Sequence, residues 1–217
     1  MRMLLLAMLA AAIALPAHGN PGSIVRVEYS NPSLYPSQWT LTIHPDGSGH
    51  FHAEGGSRSQ YDADTLVPVK VDRDVTLSSG FTSRIFEGVH NPRILGGNCE
   101  SHLKVAFQGT KKITYSGPDG QGGCEFNYSK TKEIQELGDS LVAVGATLIE
   151  GARLELLLQH DPLGLDSATQ YIVEASNDGR LQQICTIRGI LERLEEDPHV
   201  LDRVRKRARI LLASADK

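Results

Sequence analysis

Three histidines crowd the clearest hairpin of the chain. Trp39 to His44 and Ser48 to Ala53 are alternating runs separated by Pro45-Asp46-Gly47, the composition of a type I turn closed by a glycine bulge. That loop length sets Ile43 opposite Gly49, Leu41 opposite Phe51 and Trp39 opposite Ala53. One face is then apolar, and the other carries His44, His50 and His52 with Thr40, Thr42 and Ser48; a slip of one residue mixes the two sets. Histidines at i and i+2 on a strand lie about 7 Å apart, within reach of one zinc ion if the rings converge, and Asp46 could complete the site. The corresponding chemistry is that of a small metal-dependent hydrolase. A solvated, histidine-rich ribbon is the plainer reading, because no second His-x-His or carboxylate motif supplies further ligands.

A second cluster lies near the C-terminus, where Arg203, Arg205, Lys206, Arg207 and Arg209 surround Val204 and Ala208 on one helical stretch. Five cations there could hold a phosphate, an acidic glycan or an anionic surface. They equally suit a solvated helix face near the negative end of the helix dipole, balanced by Glu192, Glu195 and Glu196. Glu150 and Glu155 are five apart, on different helix faces, and make no acid/base pair. No Gly-x-Ser-x-Gly elbow, His-Glu-x-x-His helix or phosphate-binding glycine loop occurs, so no catalytic residue is assigned and an enzyme is disfavoured.

The compartment follows from the first residues. Arg2, an apolar run from Met3 to Leu15 and Pro16-Ala17-His18-Gly19 have the charge, length and small-residue ending of a secretory signal, with the cut expected after Gly19. No cysteine sits at the cut, which argues against a lipoprotein, and no later run approaches the ~20 apolar residues of a membrane span. Removing the leader leaves 21 basic against 26 acidic residues, so the net charge moves from −4 to −5 and nucleic acid is not an expected partner. In an oxidising compartment three cysteines leave one unpaired. Cys99 and Cys124 flank a turn-rich ribbon and are paired here, a bridge worth roughly 3 to 4 kcal/mol by chain entropy. Cys185 lies in a helical pattern beside Ile184 and Ile187 and reads as a small buried hydrophobe.

The elements that would position these groups fall into a β half and an α half. Ile24 to Tyr29 alternates as a strand ending at Asn31-Pro32, the hairpin follows, and 55–65 reads as an exposed loop. Leu66 to Asp72 is expected as a strand with Val67, Val69 and Val71 on one side. Phe81, Ile85, Phe86 and Val89 then mark one short helix stopped by Asn91-Pro92. Within the disulfide ribbon, Leu103, Val105 and Phe107 are expected to face Ile113 and Tyr115 across Gly109-Thr110-Lys111, with Gly117 to Gly123 as a mobile turn.

From Lys130 to His160 a seven-residue rhythm of Ile134, Leu137, Leu141, Val144 and Leu148 predicts a helix about 45 Å long, capped by Ser129, with Gly138, Gly145 and Ala152 as a stripe of close approach. Asp166 to Ser176 is assigned as helix over a competing strand. Leu181, Ile184, Ile187, Leu191 and Leu194 mark another helix, and Asp197-Pro198 begins the last. The expectation is an α+β fold: an N-terminal antiparallel sheet over residues 20–128, then a C-terminal bundle of three to four helices over 129–217.

Three motifs resemble a group of uncharacterised exported bacterial proteins: Trp-x-Leu-x-Ile-x-Pro-Asp-Gly-Ser-Gly from Trp39, Cys-x-Phe-Asn-Tyr-Ser from Cys124, and Asp-Pro-x-Val-x-x-Arg-Val-Arg-x-Arg-Ala from Asp197. The resemblance spans most of the mature chain and implies a secreted β-then-α domain with no assigned activity. Its motifs are a turn, a disulfide and a cap. The leading expectation is an exported, non-catalytic binding or interaction module whose contact region includes the sheet edges and the surface carrying the histidines. A zinc-dependent hydrolase using His44, His50 and His52, and an envelope protein binding an anionic polymer through its basic last helix, are the alternatives.

Overall fold

The computed structural model describes residues 22–56 and 66–215; the leader expected at 1–19 and most of the loop expected at 55–65 lie outside them. Alternating burial builds one antiparallel sheet from six strands: β1 (Ile24–Ser30), β2 (Gln38–Ile43), β3 (Ser48–Glu54), β4 (Val71–Thr76), β5 (Thr110–Gly117) and β6 (Gly120–Phe126). Their spatial order is β4-β3-β2-β1-β5-β6. The β2–β3 register is the expected one, with Ile43 against Gly49, Leu41 against Phe51 and Trp39 against Ala53. Across the inner face this produces a middle row of Arg73, Phe51, Leu41, Val27, Ile113 and Cys124.

Helices α1 (Ser79–Val89), α2 (Pro92–Leu95) and α3 (Lys132–His160) cover that face. Two cations on the inner face set the course of α3. Lys111 on β5, 3% exposed, pairs with Asp139 at 3.3 Å, and Arg73 on β4 pairs with Glu155 at 2.8 Å. Sixteen residues of helix separate the two carboxylates, about 24 Å, so α3 crosses the sheet diagonally. The glycine stripe lies on the contact side: a Cβ at Gly145 would come 2.7 Å from Trp39 ring atoms, and one at Gly138 would come 2.8 Å from Phe126.

From Leu154 onward the apolar side of α3 becomes a wall of a second core, while Glu155 still reaches Arg73 of the sheet. Leu154 and Leu157 pack there with α4 (Leu165–Asn177), a 3-10 turn (Ile184–Ile187), α5 (Arg188–Glu196) and α6 (Asp202–Ala215). Thr147, fully buried, ties the two cores: its one hydroxyl proton is shared between the carbonyls of Ala143 (2.9 Å) and Gln182 (2.7 Å), and its Oγ1 accepts from the Gln182 amide (3.1 Å). Among the described residues no helix is long and apolar enough to cross a membrane.

The disulfide between Cys99 and Cys124 is formed, with Cα atoms 5.9 Å apart. Several boundaries differ from expectation. The strand expected at Leu66 to Asp72 lies at Val71–Thr76, because Arg73, reaching Glu155, occupies a core-facing position that breaks the apolar pattern. Leu103, Val105 and Phe107 form no strand and are 49%, 40% and 55% exposed. Instead β5 pairs with β6, and the glycine run expected as a mobile turn over Gly117 to Gly123 confines the turn to Pro118-Asp119 and supplies the first half of β6. Gly122 is needed there because a Cβ would stand 2.4 Å from the Leu95 carbonyl oxygen of α2.

Thr131, not Ser129, takes the N-cap of α3, while the Ser129 hydroxyl accepts from the Thr131 amide. The helix expected from Leu181 is a 3-10 turn followed by α5, preceded by Gln183 in the left-handed region. Asp197 accepts from the His199 amide in a turn, and α6 starts only at Asp202.

Candidate functional site

Among the described residues no helix of either core cluster covers the outer face of the sheet, which is polar from edge to edge. Its middle row runs Asp72, His52, Thr40, Glu28, Lys112 and Glu125, one residue from each strand in register. The neighbouring row runs Asp74, His50, Thr42, Arg26, Thr114 and Gly123. Ile24 is the exception to this polarity, at the start of β1 and 37% exposed.

His50 and His52 are brought together with carboxylates from β3 and β4. His50 Nδ1 lies 2.9 Å from Asp74 and its Nε2 3.2 Å from Asp72. His52 Nδ1 lies 2.9 Å from the other Asp72 oxygen and its Nε2 3.2 Å from Glu54. Every ring nitrogen of the pair therefore meets a carboxylate oxygen. The hydrogen bond to Asp74, helped by the charge of Asp72, raises the His50 pKa above the ordinary histidine value. The hydrogen bond from His52 holds the Asp72 carboxyl below its usual range.

Further along the middle row, Glu28 accepts from Arg26 at 3.0 Å and approaches Lys112 at 3.5 Å; both partners, Arg26 first, lower its pKa. A depression of 460 Å³ opens on this face between Glu28, Thr40, His52, Glu54, Lys112 and Glu125.

His44 stands apart from this chain of pairs, one row nearer the turn, where its amide donates to the Ser48 carbonyl. Asp46, the residue that could have completed a metal site, accepts from the Ser48 amide at 2.9 Å and hydroxyl at 2.6 Å. Among the described residues no three His, Cys, Asp or Glu side chains are placed to hold one metal ion. The donors alternate along a line instead of converging.

Each cation of the basic helix α6 has a carboxylate partner. Arg203 and Arg207 share Asp166 of α4 at 2.7 and 2.6 Å. Arg205 and Lys206 share Asp202 at 3.3 and 3.0 Å, and Arg209 reaches Glu195 of α5 at 2.8 Å. The cluster thus joins α6 to its two neighbours. Glu150 pairs with Arg153 at 3.5 Å, and burial pushes its carboxyl up. Cys185 is a free, half-buried thiol; burial raises its pKa, which opposes a thiolate nucleophile.

One polar chain has no signal in sequence spacing. His90, at the end of α1, faces the Phe86 carbonyl through Nδ1 at 2.5 Å and Asp119, in the β5–β6 turn, through Nε2 at 2.8 Å. Asp119 also accepts from the Tyr115 hydroxyl, which lies 3.2 Å from Ser23 Oγ. The Phe86 carbonyl, then Asp119, raise the His90 pKa, and the Tyr115 and His90 contacts lower that of Asp119. Asp119 stands between the imidazole and the hydroxyls, so His90 is no base toward Ser23 and the chain acts as a clasp between α1 and the turn. Beside it, a cleft of 630 Å³ between α1 and α3 has Phe81, Ile85 and Leu137 on its floor and Glu87, Glu133 and Glu136 on its rim. No protein-family model matches this chain, and no curated protein matches it.

Proposed function

We propose that the protein is an exported, non-catalytic binding module, of the exported bacterial kind its motifs resemble, whose contact surface is the outer face of the sheet. The observation that carries this reading is the asymmetry of the sheet. One face is sealed under α1 to α3, whereas the other is spanned by an in-register polar row with a shallow depression at its centre. Antiparallel sheets commonly leave one face to solvent, but here a polar row runs in register across all six strands, with an acid or a base from every strand except β2. Its partner is a polar protein surface with charges of both signs, recognised by hydrogen bonds and charge complementarity. Export is supported by the leader-like N-terminus and the disulfide.

Capture from periplasm or culture medium tests the reading, with wild-type protein set against a Thr40→Arg/Lys112→Glu variant that alters the face and leaves the inner core untouched. A polypeptide retained by the wild type and lost by the variant is expected; equal retention by both overturns the assignment. The hydrolase alternative gains nothing from the alternating His–carboxylate line, and calorimetric titration with zinc tests it directly. The anionic-polymer alternative requires α6 to exchange its internal partners for the polymer. Heparin retention that is unchanged when Arg205, Lys206 and Arg209 become Glu removes it.

A further inference from the structure

The cleft of 630 Å³ between α1 and α3 lies on the helical side of the sheet, away from its outer face. Helical spacing builds it. Phe81, Ile85 and Gly88 follow one another along one side of α1, and Ile134, Leu137 and Ser140 do the same along α3. The two helices meet where Gly88 faces Leu137, since a Cβ on that glycine would stand 3.0 Å from Leu137 Cδ2. Phe81, Ile85 and Ile134 are buried members of the first core, and Leu137 packs against it while staying partly exposed. The floor is therefore apolar and held by the core itself. Its volume falls within the roughly 300–1,000 Å³ of pre-formed small-molecule sites.

The side chains of the cleft that can carry charge are Arg84, Glu87, His90, Glu133 and Glu136. Two of them are answered by residues of the opposite kind: His90 Nε2 lies 2.8 Å from Asp119, and Glu136 lies 3.7 Å from Lys132. Arg84 sits over the Phe81 ring, 5.4 Å from its centroid. Glu87 on α1 and Glu133 on α3 are exposed, and neither has a hydrogen-bond or ion-pair partner among the described residues. With the answered pairs set aside, two carboxylates on facing helices stand against one guanidinium. The cleft keeps an uncompensated charge of one unit, and it is negative.

That charge, set above an apolar floor, selects the occupant. An apolar body without charge would cover the floor and leave both carboxylates unanswered, and an anion would be repelled by them. A monovalent cation on an apolar body satisfies the floor and the rim together, and neutralises the site. We propose that the cleft binds a small organic monocation, an amine with an aromatic or aliphatic body, whose apolar part lies on Phe81, Ile85 and Leu137 while its ammonium group sits between Glu87 and Glu133. Ser140, on the same side of α3 as Leu137, adds a hydroxyl within the lining. Binding there leaves the outer sheet face free to hold a partner.

Magnetic-resonance titration of the isotope-labelled mature protein with phenethylamine, hydrocinnamate and ethylamine tests the cleft. The expected result is saturable movement of the amide signals of residues 84–88 and 133–140 by phenethylamine, half complete at about 1 mM or below. Hydrocinnamate, an anion of nearly the same shape, should move none of them, and ethylamine, which lacks the ring, should bind about tenfold or more weakly. Glu87→Gln/Glu133→Gln should weaken phenethylamine by about fivefold. Both positions are exposed, so unchanged signals outside the cleft will show that the variant folds. No saturation by about 10 mM amine overturns the proposal. So does equal binding of phenethylamine and hydrocinnamate, a double variant that binds the amine as the wild type does, or movement confined to residues outside the cleft.

Discussion

Gly145→Val tests the diagonal seat of α3 on the sheet. In the wild-type chain a single added Cβ would already sit 2.7 Å from Trp39 Cε2 and Cζ2, and that indole has little room to retreat. It is 5% exposed and lies between Tyr29, 5.3 Å away, and Phe51, 5.7 Å away. Valine adds three carbons at this point. Overpacking of a closed core typically costs about 1–3 kcal/mol, and the better helix propensity of valine over glycine returns only about 0.5 kcal/mol. The net expectation is a loss of about 0.5–2.5 kcal/mol, which for a chain of this length lowers Tm by roughly 1–10 °C.

Trp39 is the chain's only tryptophan, so its fluorescence reports the strained contact itself. A lower urea midpoint with an altered native emission spectrum is expected. Gly189→Ala is the control, since nothing lies within 4 Å of a Cβ there and the exposed helical site should be neutral or slightly stabilised. A Gly145→Val protein with wild-type midpoint and wild-type emission would refute the packing described here.

Replacing Cys99 and Cys124 together by alanine should cost about 3.5 kcal/mol from loop entropy alone, and a denaturation shift under 1 kcal/mol would show that the unfolded chain is already constrained. Thr147→Val keeps the shape but strands the Gln182 amide, so urea unfolding should show a loss of about 1–3 kcal/mol; a neutral result would mean that water satisfies the amide. His90 supplies a pH test. Its folded pKa is raised, so its contribution is complete below the unfolded value of about 6.5 and is lost as pH rises through the higher folded value. The Tm difference between wild type and His90→Gln should therefore be largest near pH 6 and shrink as the medium becomes alkaline; a gap that widens with pH contradicts the assignment.

Local chemistry carried much of this fold in the sequence. The Pro45-Asp46-Gly47 loop dictated the β2–β3 register, and the heptad-like rhythm marked α3 within two residues of its start. The α+β class followed from the order of periods. What stayed hidden depended on partners distant in the chain. Arg73 and Lys111 look like solvent residues until Glu155 and Asp139 come from α3 to meet them, so the apolar pattern alone puts β4 too early in the chain.

Leu103, Val105 and Phe107 alternate like a buried strand, and no local signal shows that β1 has already claimed the place beside β5. The outer-face histidines were legible as a group, but their carboxylate partners Asp72 and Asp74 belong to that misplaced strand. The His90–Asp119–Tyr115 chain joins residues whose separations carry no periodicity.

The two borders of the sheet are closed by different means. Beside β6, α2 packs against the glycines and the cystine stitches the incoming chain to Cys124. Among the described residues no strand lies outside β4, yet it is six residues long and carries Asp72, Arg73 and Asp74 in succession. Such a short, ionised border is a poor template for another chain's backbone, so even at high concentration the folded molecule should resist fibril growth by strand addition.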